Sequence, residues 1–264
     1  MPIISASSIV DACAGKTPQR VVSLCPGITE LLFDIGMKER VAGVSKQCRF
    51  PEVRVKDAAR VGSNRRPDLK QIQELEPDLV VVDSRETDTA VVSLLKEEYL
   101  VWDSNVTTVL GAIAEIRALG ALVDKVPNAE WIAEKIETRF AEFQASFQLP
   151  SKPVTAVMLA NYKPWTAFGS DTISTELLGL IGVQNAWGME PGVFPVEQRK
   201  IPGAAIVLLA EGPYSFHKRH VPVVARKFPD ASALLVREDL VTWQGSRLLR
   251  TPQYLTELAG LLNR

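Results

Sequence analysis

Short apolar runs alternate with amphipathic segments throughout the first 103 residues. Because parallel strands need a crossover connection, which a helix commonly supplies, this alternation predicts a parallel sheet covered by helices. Asp68 is a good N-cap for one of these helices, and Pro77 ends it by restricting the residue before it. Strands are predicted at 20–24, 40–44, 78–82 and 100–102, and helices at 28–36, 68–75 and 88–98.

The pattern changes between residues 106 and 148, where two helical stretches are separated only by "KVPNAE" at 125–130. In the second stretch, large apolar residues recur near the helical period of 3.6. One continuous apolar stripe of this length predicts a rigid helix between two α/β units, ended by Pro150 and Pro153. The stripe consists of Trp131, Ile132, Ile136, Phe140, Phe143 and Phe147.

Strands and helices alternate again after Pro153. Strands are predicted at 154–160, 204–210 and 232–236, and helices at 172–181, 217–228 (bent near Pro222) and 247–262. Pro164 and Gly169 predict a loop between Tyr162 and Asp171, with Asp171 as the N-cap of the next helix.

The predicted fold class is therefore α/β, with two Rossmann-like lobes joined by a single long backbone helix and a ligand cleft between the lobes. The predicted division is an N-terminal extension at 1–18, a first lobe at 19–126, the backbone helix at 127–149 and a second lobe at 150–264.

Charge and cysteine content exclude some function classes. The 30 basic and 31 acidic residues nearly cancel, so no nucleic-acid partner is expected. No membrane span is expected either, since no window holds the roughly 18 apolar residues that one needs. Three cysteines, an odd number, are typical of a reducing compartment. Asp11 interrupts the first apolar run, so no signal peptide is predicted. The chain as written is expected in the cytoplasm, and in the periplasm if a leader was removed.

Five segments carry a resemblance that covers residues 19–262. "RVVSLCPGITELLFDIGMKERVAGVSKQC" and "RVGSNRRPDLKQIQELEPDLVVV" resemble the first lobe of the helical-backbone binding proteins, which receive cobalamin, haem and ferric siderophores for ABC importers. "PWTAFGSDTISTELLGLIGVQNAW", "AIVLLAEGPYSFHKRH" and "VTWQGSRLLRTPQYLTEL" resemble the second lobe. The sequence is most similar to the branch without signal peptides, the helical backbone metal receptors. The resemblance implies a receptor that binds its ligand without chemical turnover.

Cys25 has two competing interpretations. A cysteine before a helix can be an activated thiolate, but a nucleophile needs a base, and both histidines, His217 and His220, lie in the other half. The resemblance implies that Cys25, Pro26 and Gly27 border the ligand cleft, where backbone N–H groups can meet a ligand oxygen. Simple packing of Cys25 is the third alternative.

Aromatic and arginine side chains are the other binding candidates. Trp243 offers a flat apolar face and Arg247 a fork for a carboxylate or phosphate; the alternative is a core tryptophan and a salt bridge between lobes. Loop arginines can meet ligand carboxylates or be solvated charges. Tyr162, Trp165 and Phe168 follow a strand, where open α/β sheets bind ligands. The predicted ligand contacts are Cys25, Pro26, Gly27, Arg49, Arg65, Arg66, Arg85, Tyr162, Trp165, Phe168, Tyr214, Trp243, Gln244 and Arg247.

The leading hypothesis is non-enzymatic binding of a metal chelate or tetrapyrrole, first a corrinoid such as cobalamin, otherwise a ferric siderophore or haem. No catalytic residue, metal site or intrinsic cofactor is predicted; the ligand brings its metal, for which His217 is a candidate axial ligand. The alternatives are a corrinoid-modifying enzyme that uses Cys25, Asp83 or Glu86, and a ligand sensor or protein-interaction module.

The resemblance also bears on a protein partner. Importers of this class dock on an ABC permease through an exposed glutamate on each lobe. Lys70 stands at the first position, whereas Glu197 retains the second. The resemblance therefore implies ligand handling more than transport.

Overall fold

The computed structural model describes residues 16–196 and 206–262. Contacts divide the chain into two compact units. The first comprises the chain up to Val106, Leu110–Glu137 and Gln244–Arg247; the second comprises Thr107–Val109, Thr138–Trp243 and the chain from Leu248. Cys13, Glu197 and most of the predicted extension at 1–18 lie outside the described residues.

The first unit is built on a five-stranded sheet in the order β3-β2-β1-β4-β5. All four strand pairs are parallel, which confirms the prediction. The strands are β1 Val21–Ser23, β2 Val41–Val44, β3 Ala59–Arg60, β4 Leu79–Val82 and β5 Val101–Asp103. Helices Pro26–Asp34, Leu69–Glu74, Thr89–Glu98 and Val109–Leu122 connect and follow them. Val22, Leu24, Val80 and Val82 are buried in one core cluster, as expected for strands covered on both faces.

The second unit contains a six-stranded mixed sheet. Its order is β11-β10-β6-β7-β9, and β8 pairs with β6. The strands are β6 Val154–Tyr162, β7 Trp165–Phe168, β8 Val183–Asn185, β9 Val193–Pro195, β10 Ile206–Glu211 and β11 Ser232–Arg237. The helices are Ile173–Gly179, Val221–Lys227, Glu238–Val241 and Thr251–Leu262.

Two local predictions for the second half were wrong. The predicted loop after Tyr162 contains β7, which pairs antiparallel with β6; Pro164 and Gly169 mark the ends of a short strand rather than one long loop. The predicted N-cap Asp171 has a positive φ of 45°, and its carboxylate accepts the Gly192 N–H at 2.9 Å. The N-cap is Thr172, whose hydroxyl accepts the Thr175 N–H at 3.3 Å.

The long helix spans Val126–Ser146, 21 residues. Pro127 lies in its first turn, where proline has no hydrogen bond to remove. Ile132, Ile136 and Phe140 of the predicted stripe are buried, whereas Trp131 is 57% exposed and lies off it. The helix is continuous where the chain passes from the first unit to the second, between Glu137 and Thr138.

Two predicted helices of the second half are interrupted. The first begins as a 3-10 turn, Lys218–His220, before the α-helix Val221–Lys227. In the second, a 3-10 turn at Gly245–Leu249 precedes the α-helix Thr251–Leu262. The 3-10 geometry changes which side chains share a face, because it has three residues per turn.

Candidate functional site

The carboxyl ends of β1 and β4 form the part of the first sheet where a ligand site is expected. The strand order reverses direction between these two neighbouring strands, and open α/β sheets bind ligands in the crevice at such a switch point. Cys25 follows β1 and Asp83 follows β4. Both side chains are buried, at 3% and 5% exposure.

A short segment from the far end of the chain occupies this crevice. We call residues 244–247 the strap. The Gln244 side-chain amide donates to Cys25 Sγ at 3.2 Å and to Ser104 Oγ at 2.9 Å. The strap backbone lies so close to Gly27 that a Cβ atom at that position would come within 2.4 Å of the Gln244 carbonyl oxygen. Glycine is therefore required at residue 27 for this approach.

Burial accounts for the state of Cys25. Burial, with the nearby Asp83 carboxylate, raises the pKa of the Cys25 thiol well above its ordinary value. Reactive cysteines need the opposite shift, because the thiolate is the nucleophile. Cys25 is thus a neutral, buried thiol, and the interpretation of this residue as a packing element has the most support.

Arg247 is almost completely buried, with 1% exposure. Its guanidinium donates two hydrogen bonds of 2.7 Å to the Glu30 carboxylate and lies 3.9 Å from the centre of the Phe50 ring. The sequence predicts that the Arg247 guanidinium binds a ligand carboxylate or phosphate with this bidentate, charge-assisted geometry. In the structure the partner is Glu30, within the first unit.

Glu115 belongs to the buried hydrogen-bond network that contains Gln244 and Ser104. The sequence analysis did not predict a role for this residue. Its carboxylate accepts the Trp102 indole N–H at 3.0 Å and the Ser104 hydroxyl at 2.9 Å. Burial raises the pKa of Glu115 to about 7, although these two donors oppose the change. Ser104 also accepts from Gln244, so a continuous chain of hydrogen bonds links Glu115 to the strap. The available signal was a single acidic residue within the apolar segment "VLGAIAEIRALGAL".

The first unit also carries the other four arginines that were predicted to contact the ligand. Arg85 forms a bidentate pair with Asp83, at 3.0 and 2.7 Å, and donates to the Val106 carbonyl at 2.9 Å. The Asp83 carboxylate is thereby held as the partner of an arginine. Arg66 is exposed and pairs with Asp88 at 3.3 Å. Arg65 is exposed as well, and Arg49 is half-buried.

The second unit brings two of the predicted aromatic residues, Tyr162 and Trp165, together with His220 in what we call the aromatic platform, with Phe216 buried against them. The Tyr162 and His220 rings are stacked, with centroids 4.5 Å apart. The Tyr162 and Trp165 rings are 5.1 Å apart in an edge arrangement, and Lys227 Nζ lies 5.3 Å from the Trp165 ring centre. Tyr162 and Trp165 are half-buried, so part of each ring reaches the surface.

Within residues 16–196 and 206–262, the two histidines have no third ligand that would complete a metal site. His220 Nδ1 accepts the backbone N–H of His217 at 3.0 Å, which uses one ring nitrogen internally. Burial, the Arg219 cation and His217 lower the pKa of His220. Among the described residues, no group of three or more histidine, cysteine or acidic side chains is arranged to hold a metal ion.

Exposure separates the predicted ligand contacts into two groups. Six are buried: Cys25, Pro26, Gly27, Trp243, Gln244 and Arg247. Burial removes these side chains from the surface that a ligand can reach, which argues against their role in ligand binding. That role stays a prediction. Eight reach the surface: Arg49, Arg65, Arg66, Arg85, Tyr162, Trp165, Phe168 and Tyr214.

Comparisons with known proteins agree on one class of protein, the substrate-binding proteins. A sequence profile of the family described as periplasmic binding protein matches residues 21–203. An ABC transporter substrate-binding lipoprotein of Bacillus subtilis is 24% identical over 96% of this chain and 84% of its own length. A vitamin B12-binding protein of Vibrio campbellii is 22% identical over 70% of this chain and 67% of its own length.

A solved structure supports the same fold. The periplasmic haem-binding protein of Roseiflexus sp. RS-1 superposes with a TM-score of 0.74 at 20% identity, covering 92% of this chain and 97% of that one. None of the described helices is both long and apolar enough to span a bilayer. The family match covers most of the chain, and the predicted two-lobed α/β fold is confirmed. The chain belongs to the periplasmic binding protein family, whose members bind substrates for ABC transporters and are not enzymes.

Proposed function

We propose that the protein binds a metal chelate or tetrapyrrole and releases it unchanged. A corrinoid such as cobalamin is the first candidate ligand; haem and ferric siderophores are the others. Membership of a substrate-binding family, with a relative named for vitamin B12, carries this proposal. The ligand brings its own metal, for which His217 stays a predicted axial contact.

The aromatic platform supports a flat or chelated ligand. Tyr162 and Trp165 present ring surface beside each other, and stacking on such faces suits a macrocycle or an aromatic chelating group. Lys163 Nζ lies 5.5 Å from the Tyr162 ring centre, and Lys227 flanks Trp165. The platform thus combines apolar ring faces with cations that can meet peripheral acidic groups.

The surface arginines of the first unit support the same ligand class. Arg65 and Arg66 are exposed in the loop after β3. Arg85, in the loop after β4, stays a predicted ligand contact, but its guanidinium is already bonded to Asp83 and Val106. Guanidinium groups bind carboxylates and phosphates with two parallel hydrogen bonds. Siderophore and haem carboxylates, or the phosphate of cobalamin, are suitable partners. A ligand cleft that would bring the aromatic platform and these arginines to one ligand stays a prediction.

A titration series tests the proposal. The purified protein is titrated with hydroxocobalamin, cobinamide, haemin and several ferric siderophores, with heat of binding as the readout. We expect one class to bind with a dissociation constant in the micromolar range or tighter. Trp165→Ala should weaken that binding by about 2- to 12-fold, since an aromatic contact is worth about 0.5–1.5 kcal/mol.

Trp131→Ala is the matched control, because it removes an exposed tryptophan from the long helix, outside the platform. Its affinity should equal that of the unmodified protein. Equal losses in both variants would refute the platform as the binding surface. If none of the compounds binds saturably, the receptor proposal fails and a sensor or interaction module becomes the better hypothesis.

Delivery to an ABC permease and export from the cytoplasm are parts of the proposal as well. Relatives named as a transporter lipoprotein and as a periplasmic protein support both. Lys70, at the position of an expected docking glutamate, is exposed and lies 3.8 Å from Glu74 one turn along its helix. Cell fractionation tests the compartment: recovery in the cytoplasmic fraction alone would support the location expected from the cysteine content and contradict delivery outside.

A further inference from the structure

The strap contacts one face of a helix that lies more than 200 positions earlier in the sequence. Residues 27, 30, 31 and 34 of the helix Pro26–Asp34 follow the spacing i, i+3, i+4 and i+7, which defines one helix face. The backbones of Gly27 and Gly245 touch. Arg247 pairs with Glu30, and the Ser246 hydroxyl donates to Asp34 at 2.6 Å.

The strap contacts are costly to lose because they are buried. Arg247 is 1% and Glu30 7% exposed. Removing one partner of a buried ion pair deprives the remaining buried charge of that partner's compensation, which is strongly unfavourable. Gln244, at 4% exposure, also covers Ser104 and Cys25. The first unit therefore depends on residues that the chain supplies near its end.

Both ends of the strap continue into the other unit. Trp243 and Leu248, its neighbours in the chain, belong to the second unit and are 7% and 0% exposed. When the second unit unfolds, both ends of the strap lose their anchors. The four residues must then be held by the first unit alone, at the full entropic cost of ordering them.

We propose that the strap is a folding latch that makes the two units unfold together in a single transition. Each unit has its own sheet and its own buried core, and units with separate cores commonly unfold independently. The latch prevents this here, because the first unit loses a helix face, an ion pair and a buried hydrogen-bond network as soon as the second unit unfolds.

Native-state hydrogen exchange of the full chain tests the latch. Exchange is followed by mass spectrometry in increasing urea, and peptides that contain β4 report on the first unit while those that contain β10 report on the second. In the unmodified protein we expect both sets to reach the same unfolding free energy. In Arg247→Met, the opening constant of the first unit should rise by about 100- to 1000-fold, with a much smaller change in the second.

Arg237→Met is the matched control. Arg237 also forms a bidentate pair with a buried carboxylate, Asp239, but entirely within the second unit. With the latch intact, the opening constants of both sets should rise by the same factor. If Arg247→Met does not fold, Ser246→Ala is the milder substitute in the same comparison. Because it removes one hydrogen bond, the opening constant of the first unit should rise by about 3- to 10-fold.

Two results would overturn the latch. One is an unmodified protein whose two units already open with different free energies. The other is a strap variant in which both sets of peptides are destabilised equally, as in the control.

Discussion

Replacing Glu115 with glutamine should remove a pH dependence of stability that this one carboxyl group creates. Glu115 is buried, and its pKa is raised from an ordinary 4.5 to about 7. The Asp83 carboxylate adds to the effect of burial, whereas the donors Trp102 and Ser104 and the Arg85 cation oppose it. The folded protein therefore holds the Glu115 proton more tightly than the unfolded chain does.

The sign and size of this pH dependence of stability follow from the difference between the folded and unfolded pKa values of Glu115. Stabilisation by the bound proton is complete below about pH 4.5 and is lost as the pH rises to about 7. The two pKa values differ by about 2.5, and each pKa unit corresponds to about 1.36 kcal/mol, so the full loss is about 3 kcal/mol. Between pH 5 and pH 8 the expected loss is about 2.5 kcal/mol, because part of it has occurred by pH 5.

Urea unfolding at pH 5, 6, 7 and 8 measures this loss. Glu115→Gln keeps the shape of the side chain but does not ionise, so the free energy of unfolding of the variant should gain about 2.5 kcal/mol relative to the unmodified protein across that range. The glutamine changes the hydrogen bonds to Trp102 and Ser104 by a constant amount, which shifts the curve without changing its slope. Glu97→Gln, on an exposed helix surface, is the control and should follow the unmodified protein. Parallel curves for unmodified protein and Glu115→Gln would refute the reasoning.

Two further predictions concern the close approach at Gly27 and the two buried cysteines of the first unit. Gly27→Ala places a Cβ atom 2.4 Å from the Gln244 carbonyl oxygen, so it should lower the free energy of unfolding, measured in urea, by about 1–3 kcal/mol. The control Gly179→Ala has open space around it and should be neutral or stabilising by up to about 1 kcal/mol. Equal losses of stability in the two variants would contradict the predicted clash. Cys25 and Cys48 should resist alkylation in the folded protein at pH 8 and react once unfolded, because burial raises the pKa of both thiols; mass spectrometry identifies the modified residues, and rapid labelling of native Cys25 would restore the nucleophile hypothesis.

Local patterns were sufficient to predict most of the secondary structure. Strands β1, β2 and β4 of the first sheet lie in apolar runs, and such runs form parallel, doubly covered strands wherever a helix can connect them. Strand β3, Ala59–Arg60, is exposed on both residues and was not predicted. The pattern was insufficient at β7, where a four-residue strand between Pro164 and Gly169 is too short to show a period. Its pairing with β6 depends on a neighbour that the local sequence does not reveal.

The sequence by itself determined which chemistry is present: arginines, aromatic rings and a cysteine before a helix, in an order typical of one family of binding proteins. Only the tertiary structure decided how that chemistry is used. Arg247 has the guanidinium that a ligand carboxylate would need, yet its partner is Glu30, 217 positions away. Gln244 meets Cys25 across 219 positions. Hydrogen bonds and ion pairs depend on distances of about 3 Å in space, and the separation of two residues along the chain does not set that distance.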